Sequence, residues 1–277
     1  MREIHVDQIT SCIERLFKSA CREYPPEVVP ALKLAAQAEN TKRAQSFLEL
    51  AVENADIAAH TGLPLCQDTG MAVVFAQIGQ DVHITGGLFQ DAVNQGVRLA
   101  YADMRKSVLT PLERINTLDN TPAVIHIELI AGEDIILSVA PKGFGSENMS
   151  ALKMLKPSQG VEGVKQFILE TVKNAGGNPC PPVVVGVGIG GTMEKAALMA
   201  KHSLIRPLGE KSEDKTLADM EKELLEEINH LDIGPQGLGG KTTALAVHIE
   251  SYPTHIAGLP VAVNMQCHCA RHKTARI

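Results

Sequence analysis

Six cysteines, Cys12, Cys21, Cys66, Cys180, Cys267 and Cys269, have the widest chemical reach in this 277-residue chain. Six thiols could close three disulfides, but disulfide frameworks belong to small secreted domains. The chain opens on MREIHVDQITSCIERLF, charged throughout and without an apolar h-region. No signal peptide is therefore expected, and a reducing, cytoplasmic setting follows. Thiols in that setting are free or bound to metal. Cys12 and Cys21 fall within a helical repeat, where cysteine serves as a small buried hydrophobe. Cys66 in LPLCQDTG, Cys180 in GGNPCPP and Cys267 in VNMQCHCARHK instead lie at turns flanked by Pro, Gly or polar residues. They are too distant in sequence to be the CxxC pairs of a zinc ribbon or a ferredoxin. Spacing leaves two readings open: three unrelated buried thiols, or three thiolates that the fold brings together. Three thiolates on an iron–sulfur cubane would leave one iron open as a Lewis acid.

Two glycine-rich segments suggest phosphate binding and fail on inspection. VVVGVGIGGTMEKAALMAK carries Gly186, Gly188 and Gly191 as a formal GxGxxG between a strand and a helix. A dinucleotide site then needs a second strand ending in an acidic residue about 20 positions on. Here the helix runs instead into Arg206-Pro207-Leu208-Gly209, a charged loop and another helix. GPQGLGGKTTALAVHIE resembles a P-loop at Gly240-Lys241-Thr242, but Pro235 stands where the first glycine belongs. The residues after it alternate like a strand rather than a helix. What remains is a glycine-rich turn whose backbone amides could hold an anion.

Positioning these residues requires a sizeable fold, and the composition provides for one. Hydrophobic residues make up 44% of the chain and charged residues 21%; mean hydropathy is +0.01. That is the profile of an ordinary globular protein. A net charge of −6 without a basic run argues against a nucleic-acid partner, and an aromatic content of 3% without Trp offers no base-stacking platform. No apolar run approaches the ~20 residues of a membrane span. Helical periodicity predicts helices at about 6–23, 27–39, 41–59, 88–107, 160–175, 192–204 and 214–230. Strands are predicted at 71–78, 81–85, 123–130, 134–140, 182–187, 243–250 and 260–265. The pair 123–130 and 134–140, separated by AGE, reads as a hairpin. These elements predict a mixed α/β (α+β) fold, with mixed sheets surrounded by helices. The simplest organisation is one domain over 1–277, with a helical part at about 1–60 and a core at about 61–277.

The segments around the cysteines carry more than spacing does. CQDTG (66–70), NTLDNTPAVIH (116–126), PKGFGSENMSALKML (141–155), NPCPPVVVGVGIGGT (178–192), IRPLG and GPQGLGGKTTALAVHIESYPTHIAGLPVAVNMQCH (234–268) resemble the α-type domain of class I fumarate hydratases. The resemblance runs from about residue 30 onward. Tartrate dehydratases of the same family are similar around CQDTG, CPPV and GPQGL; the GSEN and NTxDNTPAVIH blocks favour the fumarase branch.

The resemblance implies a [4Fe–4S] cluster held by Cys66, Cys180 and Cys267, and hydration of fumarate to (S)-malate. Cys269 has no counterpart among those ligands and is expected to be structural. Asp68 would transfer a proton or orient water, although by itself it could simply cap a turn. Gln67, Asp68, Arg105, Gly143, Gly145 and His255 would contact substrate, with Arg105 on the helix before NTxDN and Lys106 beside it. His255 corresponds to a family histidine that reaches the substrate from a neighbouring subunit; alone it would read as a structural group. Phe144 and Leu118 depart from the family pattern, which has glycine at both. Lys241 is either a surface cation or a carboxylate anchor. His126 and His248 alternate with apolar residues and read as core histidines.

Single-chain members of the family carry a further β-type domain with arginines, a lysine and a threonine proposed as the base. The sequence in hand ends at Ile277, so the resemblance implies a separate β subunit, an active site shared with it and an α2β2 assembly. Two other classes stay open: a dehydratase acting on tartrate or mesaconate, and a non-catalytic iron–sulfur sensor or scaffold.

Overall fold

Helix α1 (Val6–Arg22) turns one face inward, burying Ile9, Cys12, Ile13, Leu16, Phe17, Ala20 and Cys21. That i, i+3, i+4 stripe is the one visible in the sequence. In this computed structural model, which describes residues 1–277, backbone contacts divide the chain into two compact units. The first comprises Met1–Pro25, Ala55–Phe144 and Arg271–Ile277; the second comprises Pro26–Asn54 and Gly145–Ala270. Mixed sheets flanked by helices make up both, as the pattern of elements predicts. The helical stretch at 1–60 is divided: α1 belongs to the first unit, α2 (Val28–Ala38) and most of α3 (Lys42–Thr61) to the second.

In the first unit, β1 (Arg2–His5) pairs in parallel with β3 (Val82–Thr85). The main sheet has the order β10-β5-β2-β4, built from β2 (Met71–Gly79), β4 (Val124–Ile130), β5 (Ile135–Lys142) and β10 (Lys273–Arg276). The expected hairpin of 123–130 with 134–140 does not form, because β2 lies between the two strands. β4 runs parallel to β2 and β5 antiparallel to it. The β4–β5 connection bends over the end of β2, with Gln80 N–H donating to Ile130 O and Gly79 N–H to Asp134 O, both at 2.8 Å. Nine apolar-rich residues give β2 the central place, and exposed Ile127 and Leu129 mark β4 as the edge. Helix α4 (Phe89–Ala100) crosses α1 closely at Gly96, where a Cβ would stand 2.7 Å from Thr10 O. The core joins these helices to Ala72, Val74, Ile135, Leu137 and Val139 of the sheet.

The second unit is built on the sheet β6-β9-β7-β8, from β6 (Ala151–Leu155), β7 (Val183–Gly190), β8 (Ala244–Tyr252) and β9 (Leu259–Gln266). Helices α6 (Gly160–Ala175) and α8 (Lys215–Asn229) cover one face, packing Ile168, Val172, Leu224 and Ile228 on Val185, Val187, Val263 and Met265. Helix α7 (Met193–His202) covers the other through Ala196 and Ala200 against Ala262. Gly186 and Gly188 lie inside β7 beneath α7, where a Cβ on either would come within 2.1 Å of a helix carbonyl. The GxGxxG pattern is thus a helix-packing device. His248 is buried and its Nδ1 faces Ser203 O at 3.1 Å, while His126 stacks on Phe75. His248 is thus a core histidine, as expected, whereas His126 is only half-buried on the edge strand β4.

Strands β1 and β10 are four-residue, largely polar segments (REIH, KTAR), and β6 (ALKML) is a five-residue apolar run without alternation, so the sequence predicts none of them as a strand. Helix α4 stops seven residues before the predicted end because Tyr101 is withdrawn into the core.

Candidate active site

The loop after α3 carries Cys66, Gln67 and Asp68, and its shape follows from local chemistry. Gly70 has φ +79°, and a Cβ there would meet Pro141 C at 2.7 Å, so only glycine fits. Asp68 Oδ1 accepts from Gly70 N–H at 2.9 Å, an Asx turn, and Oδ2 accepts from Phe144 N–H at 2.9 Å. The carboxylate therefore caps its turn and is also fixed in direction. Buried Thr69 donates to Arg105 O at 2.7 Å, and its own carbonyl accepts from the Tyr101 hydroxyl at 2.9 Å. Gly70 O accepts from Asn120 Nδ2 at 3.1 Å, while Asn120 Oδ1 takes Ser107 N–H at 2.8 Å. The NTLDN block is thus the clamp that ties the Cys66 loop to the 105–107 segment.

Cys66 is half-buried, Gln67 exposed and Asp68 half-buried. Arg105 is exposed and lies beyond the end of α4, correcting its expected place on that helix; Lys106 Nζ turns back to Ala102 O at 2.7 Å. Gly143 is buried beside Asp68, and Gly145 is exposed. Phe144 opens the short helix α5 (Phe144–Glu147) and uses only its N–H toward Asp68, so glycine is not required there. Leu118, by contrast, has φ +65°, a conformation that explains the glycine usual at this position.

In the second unit, Cys180 has φ +55° and its carbonyl accepts from His268 N–H at 3.2 Å, with His268 Nδ1 at 3.1 Å from the same oxygen. The turns that carry Cys180 and Cys267 are thereby joined. Pro181 O accepts from Gln236 N–H at 2.8 Å, which brings in the GPQG turn. The 178–192 block thus meets both ends of the 234–268 block in this unit. The anion expected in the glycine-rich turn is supplied by the chain: Glu39 accepts from Lys241 N–H at 2.9 Å and Thr242 N–H at 2.7 Å. The Lys241 side chain is exposed. His255 stands exposed between β8 and β9, its Nδ1 accepting from Ala257 N–H at 3.2 Å. Cys269 is buried, and its carbonyl accepts from Gln266 Nε2 at 3.3 Å.

None of the six cysteines is in a disulfide; Cys66, Cys180 and Cys267 are partly exposed, and the other three are buried. Burial raises the thiol pKa of Cys12 and Cys21 above the ordinary value, which keeps both protonated and inert. Within neither unit do three His, Cys, Asp or Glu side chains gather in metal-holding geometry. The expected ligand set draws on both, Cys66 from the first and Cys180 and Cys267 from the second. As donors these three fit an iron–sulfur cluster: accessible thiols, unpaired in disulfides, on turns rather than helix stripes.

A sequence profile of the family Fumerase, described as fumarate hydratase (Fumerase), matches residues 10–276. The chain belongs to that family. It is a hydro-lyase by this membership. A protein of Methanocaldococcus jannaschii named "Putative L(+)-tartrate dehydratase subunit alpha" is 45% identical over 98% of both chains. The L(+)-tartrate dehydratase subunit alpha of Escherichia coli strain UTI89 is 32% identical over 98% of this chain and 91% of its own. The strain K12 protein of the same name is 32% identical over 97% of this chain and 90% of its own. Residues that sequence reasoning missed are Tyr101, Asn120 and Arg271, all buried around the Asp68 loop. Of these only Asn120 lay in a recognised block; Arg271 in CARHK reads like any surface cation.

Proposed function

We propose that this chain is the α-type subunit of an iron–sulfur hydro-lyase that interconverts fumarate and (S)-malate, with a [4Fe–4S] cluster on Cys66, Cys180 and Cys267. The observation that carries the reading is the set of three accessible thiols on turns, none in a disulfide, the first of them followed by a carboxylate fixed by two backbone N–H groups. When bound, a cluster with three thiolate ligands supplies an open iron able to polarise a hydroxyl leaving group. The chain's own groups do the rest. Dehydration breaks a C–H bond next to one carboxylate and a C–O bond at the adjacent carbon. Asp68, two residues beyond the first ligand, orients water or moves a proton at Oδ2. Gln67 and Arg105 bind and orient the dicarboxylate, Arg105 stabilising charge that builds on the carboxylate as the proton leaves. Backbone groups at Gly143 and Gly145 complete that contact, and His255 reaches the substrate held by a neighbouring copy.

The relatives' subunit names support a separate β partner, with which the chain would form an α2β2 assembly; no helix is long and apolar enough to cross a membrane. The relatives named for tartrate favour a second reading, in which the same machinery dehydrates L(+)-tartrate. Kinetics on fumarate, mesaconate and tartrate with the β partner present separate the two. Anaerobic reconstitution with iron counting tests the ligands: Cys66→Ser, Cys180→Ser and Cys267→Ser should each lose most of the cluster. Variants that hold as much iron as the wild type would sink the assignment, and a purified α chain with full fumarate turnover would sink the partner. Loss of partner binding on cluster removal, without any turnover to lose, would point instead to a sensor or scaffold.

A further inference from the structure

Arg271 is the largest side chain fully withdrawn from solvent, at 2% exposure, and it lies in the first unit just before β10. A guanidinium cannot shed its proton, so burying one requires an anion or a set of acceptors close by. The surroundings supply one. A Cβ placed on Gly143 would stand 3.1 Å from Asp68 Oδ2 and 3.6 Å from Arg271 Nη2, so carboxylate and guanidinium flank the same bare Cα. Tyr101 completes the nest. Its phenol is pushed well above the ordinary value, first by burial and next by Cys21, with Arg271 opposing and Asp68 adding. Its hydroxyl meanwhile holds Thr69 O, the residue after Asp68.

We infer that Arg271 is a positioning residue for Asp68. Across the gap left by Gly143, its guanidinium attracts Oδ2 and opposes rotation of the carboxylate away from the Phe144 N–H. Arginine suits this task because its charge is permanent and its fork is rigid. Gly143 suits it because a Cβ there would press on Asp68 Oδ2, 3.1 Å away, from the side that faces the guanidinium. The inference deepens the proposed function, since it rests on Asp68 being the group that handles the proton or water.

Two measurements test it, and the first needs neither cluster nor substrate. Thermal melts of the full chain carrying Arg271→Gln, Asp68→Asn and both together form a double-mutant cycle. The double variant should melt several degrees higher than the sum of the two single shifts predicts. Should Arg271→Gln not be recovered folded, Gly143→Ala replaces it in the cycle, because its methyl enters between the same two groups. Strictly additive shifts overturn the inference while leaving the cluster assignment intact. The second uses the reconstituted enzyme with its β partner. Arg271→Gln should lower kcat roughly 10–100-fold, as a misaligned catalytic group does, with KM changed less than about 3-fold and iron content unchanged. Arg271→Lys, which keeps the charge but not the fork, should recover part of the loss. An Arg271→Gln enzyme with lowered stability but wild-type kcat would show a purely structural arginine and refute the positioning role.

Discussion

Gly188→Ala adds one methyl group beneath α7, and its cost can be worked from the geometry. The new Cβ would stand 2.1 Å from Ala196 O, 2.8 Å from Ala200 N and 2.9 Å from Met199 Cβ. All three neighbours belong to the helix backbone or its root, so no flexible side chain can yield. The helix must retreat by roughly 1 Å, which a close-packed interior resists. Retreat also separates Ala196 and Ala200 from Ala262, the small-residue contact that seats this helix. Overpacking of this kind costs roughly 1–3 kcal/mol. In a chain of this size that lowers the melting temperature by roughly 2–10 °C. The assay is thermal unfolding by circular dichroism, beside calorimetric titration with NAD and ATP. Expected are a clear drop in the melt and no nucleotide binding by either protein. A variant that melts within a degree of the wild type would refute the packing account. Nucleotide bound by the wild type and lost in such a variant would restore the phosphate-binding one.

Two further outcomes follow from the NTLDN clamp. Leu118 is 77% exposed with φ +65°; a left-handed non-glycine residue costs roughly 1–2 kcal/mol, against roughly 0.5–1 kcal/mol of added chain entropy for glycine. Leu118→Gly should therefore raise the urea midpoint slightly and Leu118→Val lower it, and a glycine variant that unfolds earlier would contradict the strain. Asp119 has its pKa lowered to about 2: burial acts upward, but hydrogen bonds from Thr121 N–H, Arg98 and Thr121 Oγ1 outweigh it. A folded pKa below the unfolded value contributes stability that is present above about pH 4 and lost as pH falls toward about 2. With discount for its part-exposed site, Asp119→Asn should cost roughly 1 kcal/mol at pH 6 and almost nothing at pH 2, read from denaturant melts at both; a loss that is constant with pH would exclude the linkage.

Much of this protein is written locally. The stripe Ile9, Ile13, Leu16, Phe17 specifies α1 at any placement, because helical periodicity depends only on neighbours three and four residues away. Strands such as Met71–Gly79 are equally legible from an apolar run bounded by turn residues. The blocks around Cys66, Cys180 and Cys267 marked those residues apart from Cys12 and Cys21, since thiols at Pro- and Gly-rich turns differ from thiols on a helix face. Strand order was not legible: β2 enters between β4 and β5 because long-range pairing is decided by which strand can be buried on both edges. Nor could the sequence tell that Gly188 seats a helix, that Glu39 fills the amides of the 234–243 turn, or that Arg271 is buried beside Gly143. A glycine, a glutamate and an arginine look the same in sequence whether they face water or a partner. A helix backbone, a pair of amides or a carboxylate from elsewhere in the same unit gives each its role, and these neighbours arrive only once the chain has folded.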